Sequence, residues 1–346
     1  MMKSLRKNIW MWGSVIAMIL LFVLLLFTGP VHIPSSDIMA LLSGGEASEE
    51  YYGIILFDSR LPMAVCAACC GASLSVAGLV MQAVFQNPLA GPSVLGVSSG
   101  ASLGVAVVML GSACGIVDTG GLVSDNLLAF GGAVVGAAVI IVILMIFSTF
   151  LKSGVMLLIV GIMISYLSSS MISLLNYLAP AEGIKSYLIW GLGSFSGVRS
   201  EQLPLYLILS ATALMLSMTY IKPLNALLLG ERYAGSMGYS IGRLRFGLLA
   251  VTGTLVAVST AYCGPIGFIG MIVPHLCRMA LRSSSHVILM PACVFFGASV
   301  TMACAWLSVI DASGGGVIPI NVITPLVGVP VILYILMRRD RLNYFN

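Results

Sequence analysis

Apolar runs, most of them about twenty residues long, alternate with short polar breaks along almost the whole chain. They lie near residues 9–29, 61–84, 93–111, 125–150, 154–178, 203–221, 246–263, 266–279, 287–307 and 321–337. Crossing a bilayer core as a helix takes about 20 mostly apolar residues. The pattern therefore predicts an all-α, polytopic membrane protein with about ten transmembrane helices. Little chain remains for anything else, so residues 1–346 read as a single transmembrane domain. Composition agrees: 59% of residues are hydrophobic, 8% are charged and mean hydropathy is +1.09. A soluble domain carries about 25% charged residues.

The first run follows Lys3, Arg6 and Lys7 and extends from Ile9 to Phe27. It is too long for the apolar region of a signal peptide and has no small-x-small cleavage site, so it reads as an uncleaved span. Ten spans put both termini on one side. Lys3, Arg6, Lys7, Lys152, Lys222, Arg232, Arg243, Arg245, Arg278, Arg282, Arg338, Arg339 and Arg341 then share that side, and only Arg60, Lys185 and Arg199 face the other. Basic residues mark the cytoplasmic side. Both termini are expected in the cytoplasm, with the chain in the cell (inner) membrane and lipid around it. Acidic residues show the reverse bias, with only Glu231 and Asp340 inside. A net charge of +4, distributed in this way, excludes nucleic acid as a partner.

The longest cytoplasmic polar insert is residues 222–245, KPLNALLLGERYAGSMGYSIGRLR. Pro223 suits the first turn of a helix and Gly230 its end. A second short helix fits Glu231 to Met237, with Gly238 as its stop. This is either a helix–glycine–helix knob shaped to enter a soluble partner or an ordinary interfacial loop. The turn between the second and third spans runs from Gln82 through Asn87, Pro88 and Leu89 to Pro92 without a charge. It suits a constriction, with amides that cross-bond and a leucine that resists wetting, and it equally suits a plain turn.

The run 266–279 is short, about 21 Å as ideal helix against a core of about 30 Å, and Pro274 interrupts it. A broken helix of this kind is tolerated where it is buried or lines an aqueous cavity. His275 reads as a ligand or gate residue, or as a side chain bonding carbonyls freed by Pro274. Small residues four apart, at Ala67, Gly71 and Ser75, at Gly100 and Gly104, and at Gly132 and Gly136, predict close helix packing.

Cys66-x-x-Cys69 lacks a second pair and reads as packing in a span of small residues. No histidine–cysteine–carboxylate cluster has metal spacing, and no cofactor is expected. Span interiors without acidic or basic residues argue against proton or sodium coupling. No phosphate-binding G-x-x-x-x-G-K-[ST] loop occurs, so energy for active transport must come from a partner. The competing readings are an ATP-independent secondary transporter or facilitator, and an intramembrane enzyme using Cys66, Cys69 or His275. The longer outer segments are 30–60, 179–202 and 308–320, with Trp190 at the level of the interfacial belt.

Seven groups of residues, in order along the chain, carry a resemblance. They are Arg60-Leu-Pro62; Gly71 to Gly78 through Met81-Gln82; Asn87-Pro-Leu-Ala90 with Leu95-Gly96 to Gly100-Ala101; Trp190 to Phe195; Leu224-Asn-Ala-Leu227 to Gly230-Glu231 with Ala234 and Gly238; Gly267 to Gly270 with Val273-Pro-His275 and Arg278; and Ile318-Pro319, Thr324 and Gly328-Val-Pro330. The chain resembles the FecCD-type permeases of bacterial ABC importers for iron–siderophores, haem and vitamin B12. The resemblance implies a type II ABC importer permease architecture and a non-enzymatic role. It also implies a homodimer, two ATPase subunits below and a periplasmic or lipid-anchored substrate-binding protein outside. By resemblance, Leu224, Asn225, Leu227, Gly230, Glu231, Ala234 and Gly238 belong to the ATPase-coupling element. In the same way Asn87 and Leu89 belong to the inner gate, and Arg60 to binding-protein docking. The chain departs from the family at Met63, at Ser285-His286-Val287 and near Cys304 and Ser308, where basic or acidic residues are usual. With a docking arginine missing at Ser308, Arg199 is expected to replace it.

Overall fold

The structure is a computed structural model that describes residues 2–114, 125–151, 154–309 and 317–337. Among these residues there is no strand. The elements in order are α1 (Met2–Phe27), α2 (Ser35–Leu42), α3 (Glu50–Ile55), a π-helical turn (Leu56–Arg60), α4 (Leu61–Val84), a 3-10 turn (Pro92–Leu95), α5 (Val97–Ala113), α6 (Asp125–Phe150), α7 (Gly154–Leu178) and α8 (Ala181–Gly191). There follow α9 (Leu203–Thr219), α10 (Ile221–Leu227), α11 (Glu231–Ser236), α12 (Ile241–Cys263), α13 (Ile269–Leu281), α14 (His286–Val309) and α15 (Ile320–Met337). Each predicted apolar run is occupied by one helix: α1, α4, α5, α6, α7, α9, α12, α13, α14 and α15. Six described helices are long and apolar enough to cross a membrane alone, α9 with α10 forms a seventh span bent by 53°, and α5, α13 and α15 are shorter apolar helices.

Two features differ from the sequence reading. The long segments 30–60 and 179–202 are partly helical, holding α2, α3, the π-helical turn and α8. Helix α12 starts at Ile241, so Arg243 and Arg245 lie in its first turns rather than in the polar insert. No proline separates Ile241 from Phe246, and Gly242 falls in the first turn, so the helix extends past the apolar boundary. Residues 338–341, which carry part of the charge asymmetry, lie outside the described residues, as does Lys152.

Helix α4 forms the centre of the bundle, with most of its side chains buried against α12, α13 and α14. Its small residues are what permit this. A Cβ on Gly71 would lie 2.2 Å from the Gly297 carbonyl oxygen of α14, and one on Gly78 only 1.6 Å from the Gly270 carbonyl oxygen of α13. The Gly100/Gly104 and Gly132/Gly136 pairs meet one another across α5 and α6, with a Cβ on Gly104 falling 1.9 Å from the Gly132 oxygen. Without a hydrophobic drive between helices in lipid, such backbone approach maximises dispersion contact.

Helix α13 is preceded by non-helical backbone at 264–268, where Gly264 has φ +76 and Phe268 φ +68. Pro274 lies inside the helix. It offers no N–H to the carbonyl four residues back, that of Gly270. That same carbonyl rests against Gly78, so the proline and the glycine contact occupy one site.

Gly78→Ala should therefore force backbone apart and lower stability by at least about 1–3 kcal/mol. Gly131→Ala, whose new Cβ meets nothing within 4 Å, should leave stability unchanged. Thermal unfolding of the two purified variants in detergent checks this; equal melting would refute the α4–α13 contact.

Candidate functional site

Residues 221–238 form the expected knob. Helix α9 ends at Thr219, the chain bends, and α10 runs to Leu227. Gly230 has φ +100 and Gly238 φ +90, a backbone region that side chains with a Cβ rarely adopt. Helix α11 lies between them.

The knob's named residues divide by role. Leu224, Leu227 and Ala234 are buried in the protein's own core. The Asn225 Oδ1 accepts the His286 backbone N–H at 2.8 Å and lies 3.1 Å from the His286 Nδ1, capping the start of α14. Glu231 is in a salt bridge with Arg245 of α12. The Arg245 Nη1 also donates to the Leu151 carbonyl at 3.2 Å, just past the end of α6, where a cation suits the helix dipole. These groups brace the knob. The side chains it exposes are Leu229, Tyr233 and Met237, with Arg232 beside them. The resemblance did not single these out. Leu229 lies between the two short helices, Tyr233 in α11 and Met237 at its C-terminal end, so no single helical period marks them in the sequence.

The turn after α4 touches the knob. Gln86, a non-glycine residue with φ +47, donates from Nε2 to the Leu227 carbonyl at 3.2 Å. The Asn87 Oδ1 accepts the Leu89 N–H at 2.9 Å, an Asx turn. Leu89 points outward, 43% exposed. The turn's other side is clamped by α13. The His275 Nε2 lies 2.7 Å from the Pro88 carbonyl oxygen. Gln82, at the end of α4, donates to the Met271 carbonyl at 3.2 Å and accepts from the Arg278 Nη1 at 2.5 Å.

Two sequence expectations change here. His275 bonds a carbonyl of the turn, not one freed by Pro274. Arg278 lies inside α13 and is buried, so a span does carry a charge. Its position one turn from the helix end, beside the Gln82 amide, makes that possible.

At the opposite end, Arg60 is not a surface residue. It is 5% exposed, donating to the Leu26 carbonyl at 2.8 Å and to the Val31 carbonyl, so it ties the end of α1 to the segment that follows. In this single chain the Arg60 guanidinium is turned to these two carbonyls. The π-helical turn rotates the side chain inward toward open carbonyls at the end of α1. Arg199 is exposed, next to a Ser200 whose hydroxyl donates to Asp58 at 2.8 Å. Ser308 is buried and donates to the Ile318 carbonyl. Residues 310–316 lie outside the described residues. All eight cysteines are free, and among the described residues no group of His, Cys, Asp or Glu could hold a metal.

An all-helical bundle of apolar spans with a braced external knob and a clamped turn beside it is the architecture of a membrane permease. The chain belongs to the FecCD transport family, whose family model matches residues 17–338. It is 31% identical over 334 residues to the vitamin B12 import system permease protein BtuC of Klebsiella pneumoniae subsp. pneumoniae, covering 96% of this chain and 95% of that protein. To BtuC of Escherichia coli O17:K52:H18 it is 32% identical over 338 residues, 97% of each chain. A solved structure, an inward-facing conformation of a metal-chelate type ABC transporter, superposes with a TM-score of 0.82 at 26% identity, covering 95% of this chain and 98% of that one. The chain is thus a multi-pass permease subunit of an ABC importer and not itself an enzyme.

Hydrogen bonds made by charged donors are worth about 1.5–3 kcal/mol each. Arg60→Ala should therefore lower the melting temperature of the purified permease, whereas Arg199→Ala should not. Equal melting of Arg60→Ala and wild type would return Arg60 to the surface.

Proposed function

We propose that two copies of this permease pair about a twofold axis and import an iron chelate or a corrinoid across the cytoplasmic membrane. Two ATPase subunits engage the 221–238 knobs from the cytoplasm, where both termini then lie, and a substrate-binding protein docks at the opposite end. The observation that carries this reading is the knob itself. Three apolar side chains, Leu229, Tyr233 and Met237, are exposed on an element that Asn225, Glu231 and the two positive-φ glycines hold rigid. A large exposed apolar patch on a braced projection marks a protein interface. The cargo class follows from the relatives, which import vitamin B12 or are of metal-chelate type. At the far end Arg199, exposed and able to bind a carboxylate in a bidentate way, shares the docking role with Arg60.

Tyr233→Ala should weaken ATPase capture by the solubilised permease about tenfold, a hot-spot loss of about 1.4 kcal/mol. Gly230→Val, which puts a β-branched residue at φ +100, should depress cargo-stimulated ATP hydrolysis while membrane insertion stays normal. Full coupling in both variants would remove the knob from the interface.

Leu89 tests the dimer. With Leu89→Cys, disulfide crosslinking between two copies in the resting complex should block transport. No crosslink in any nucleotide state would leave the 86–92 turn as an ordinary connection.

A further inference from the structure

The seam between α5 and α6 is floored by backbone rather than by side chains. A Cβ on Gly104 would fall 1.9 Å from the Gly132 carbonyl oxygen, and one on Gly136 would fall 2.1 Å from that of Gly100. Glycines at the contact leave a trough above it of about 710 Å³, within the range of about 300–1,000 Å³ usual for ligand sites. Leu127, Gly131, Val135 and Val139 of α6 stand four apart along one wall, and Leu103 and Val107 of α5 form the other. The trough is open to its surroundings. Val135 is 63% exposed, and a Cβ on Gly131 would meet nothing within 4 Å.

A second, more polar hollow of about 400 Å³ continues the trough at the end of the bundle opposite the knob. Val108 and Leu128 line both, so the two are continuous. Ser112 near the end of α5 and Pro180, Glu182 and Ser186 at α8 complete the hollow. Helix α8 sits tightly over α5 here, since a Cβ on Gly183 would lie 2.7 Å from the Ala113 Cβ. Among the described residues Glu182 makes no ion pair, and Lys185 does not line the hollow. No side chain caps the first turn of α8.

We propose that trough and hollow together hold one phospholipid, a zwitterionic one whose headgroup ends in an ammonium group, with an acyl chain laid along the α5–α6 seam. The site depends on the chain's place in a bilayer and not on what it transports. Lipid tails are as apolar as leucine, so the trough alone gives no preference for one lipid over another. The headgroup decides. Its ammonium meets the Glu182 carboxylate, and its phosphate meets the N–H groups that the first turn of α8 leaves without helical partners. An anionic headgroup without the ammonium would bring like charge to Glu182.

The test uses the full-length permease with its ATPase subunits, stripped of lipid in detergent and returned to phosphatidylethanolamine or phosphatidylglycerol of the same acyl chains. Native mass spectrometry counts the lipid retained. The wild type should retain phosphatidylethanolamine about threefold better than phosphatidylglycerol, the preference that an exposed ion pair supplies. Glu182→Gln should remove that preference, and Glu182→Asp should keep it. Gly131→Leu, whose added side chain enters the trough, should cut retention of phosphatidylethanolamine about tenfold, because a filled site cannot take more volume. Met215→Leu, on an exposed face of α9 away from the trough, should leave retention unchanged. Phosphatidylethanolamine should raise the melting temperature of the wild type more than that of Gly131→Leu, since a ligand stabilises the state that binds it. The proposal is overturned if the wild type retains both lipids equally, if Glu182→Gln keeps the wild-type preference, or if Gly131→Leu retains phosphatidylethanolamine within about twofold of wild type. Loss of the paired permease in Gly131→Leu with lipid retention unchanged would give the trough to a second copy of the chain, and overturns it as well.

Discussion

The contact between Gly78 and Gly270 is the constraint on which the candidate site depends. Two residues without a Cβ allow α4 and α13 to meet backbone to backbone, where a methyl would fall 1.6 Å from a carbonyl oxygen. That approach brings Gln82 within reach of the Met271 carbonyl and of Arg278, and the 86–92 turn within reach of His275. Separating the helices would lengthen the Gln82–Met271 bond, already at 3.2 Å, the upper end of the normal range. The missing proline N–H at position 274 leaves the Gly270 carbonyl without its helical donor just where Gly78 takes it up.

Three buried arginines hold the fold at its ends. Arg60 closes the end of α1, Arg245 joins the knob to α12 and the end of α6, and Arg278 joins α13 to α4. Arg60 and Arg245 reach carbonyls that helix ends leave without helical partners, and Arg278 meets the Gln82 side chain. Arginine suits these places because its planar fork meets two acceptors at once and is weakly hydrated for a cation. The inward turn of Arg60 could not be read from the sequence. Whether an arginine at a span edge points to water or turns back depends on the local helical twist. The π-helical turn at 56–60 has no clear sequence signature.

Much else was legible. The ten apolar runs each became one helix, because their length and polarity leave few alternatives in lipid. Gly230 and Gly238 were readable as stops because only glycine commonly reaches φ near +100. The small residues four apart announced close packing, but not which helices would meet: Gly71 pairs with Gly297 and Gly100 with Gly136, separations that no local pattern encodes. Helices α2, α3 and α8 were hidden because short amphipathic pieces between spans carry mixed polarity and no long period. In the knob, residues grouped together by resemblance proved to do two jobs. Leu224, Leu227 and Ala234 face inward, and the exposed surface belongs to neighbours one helical face away.

Helix α13 finally explains why a short, broken span is useful in a permease. A full-length helix would bury its backbone along its whole length and present only side chains. By starting at Ile269, α13 leaves the peptide groups of 265–267 outside helical bonding, where Asn321 holds the Pro265 carbonyl and the Gly267 N–H. By ending at Leu281, it places His275 and Arg278 against α4 and the turn that contacts the knob.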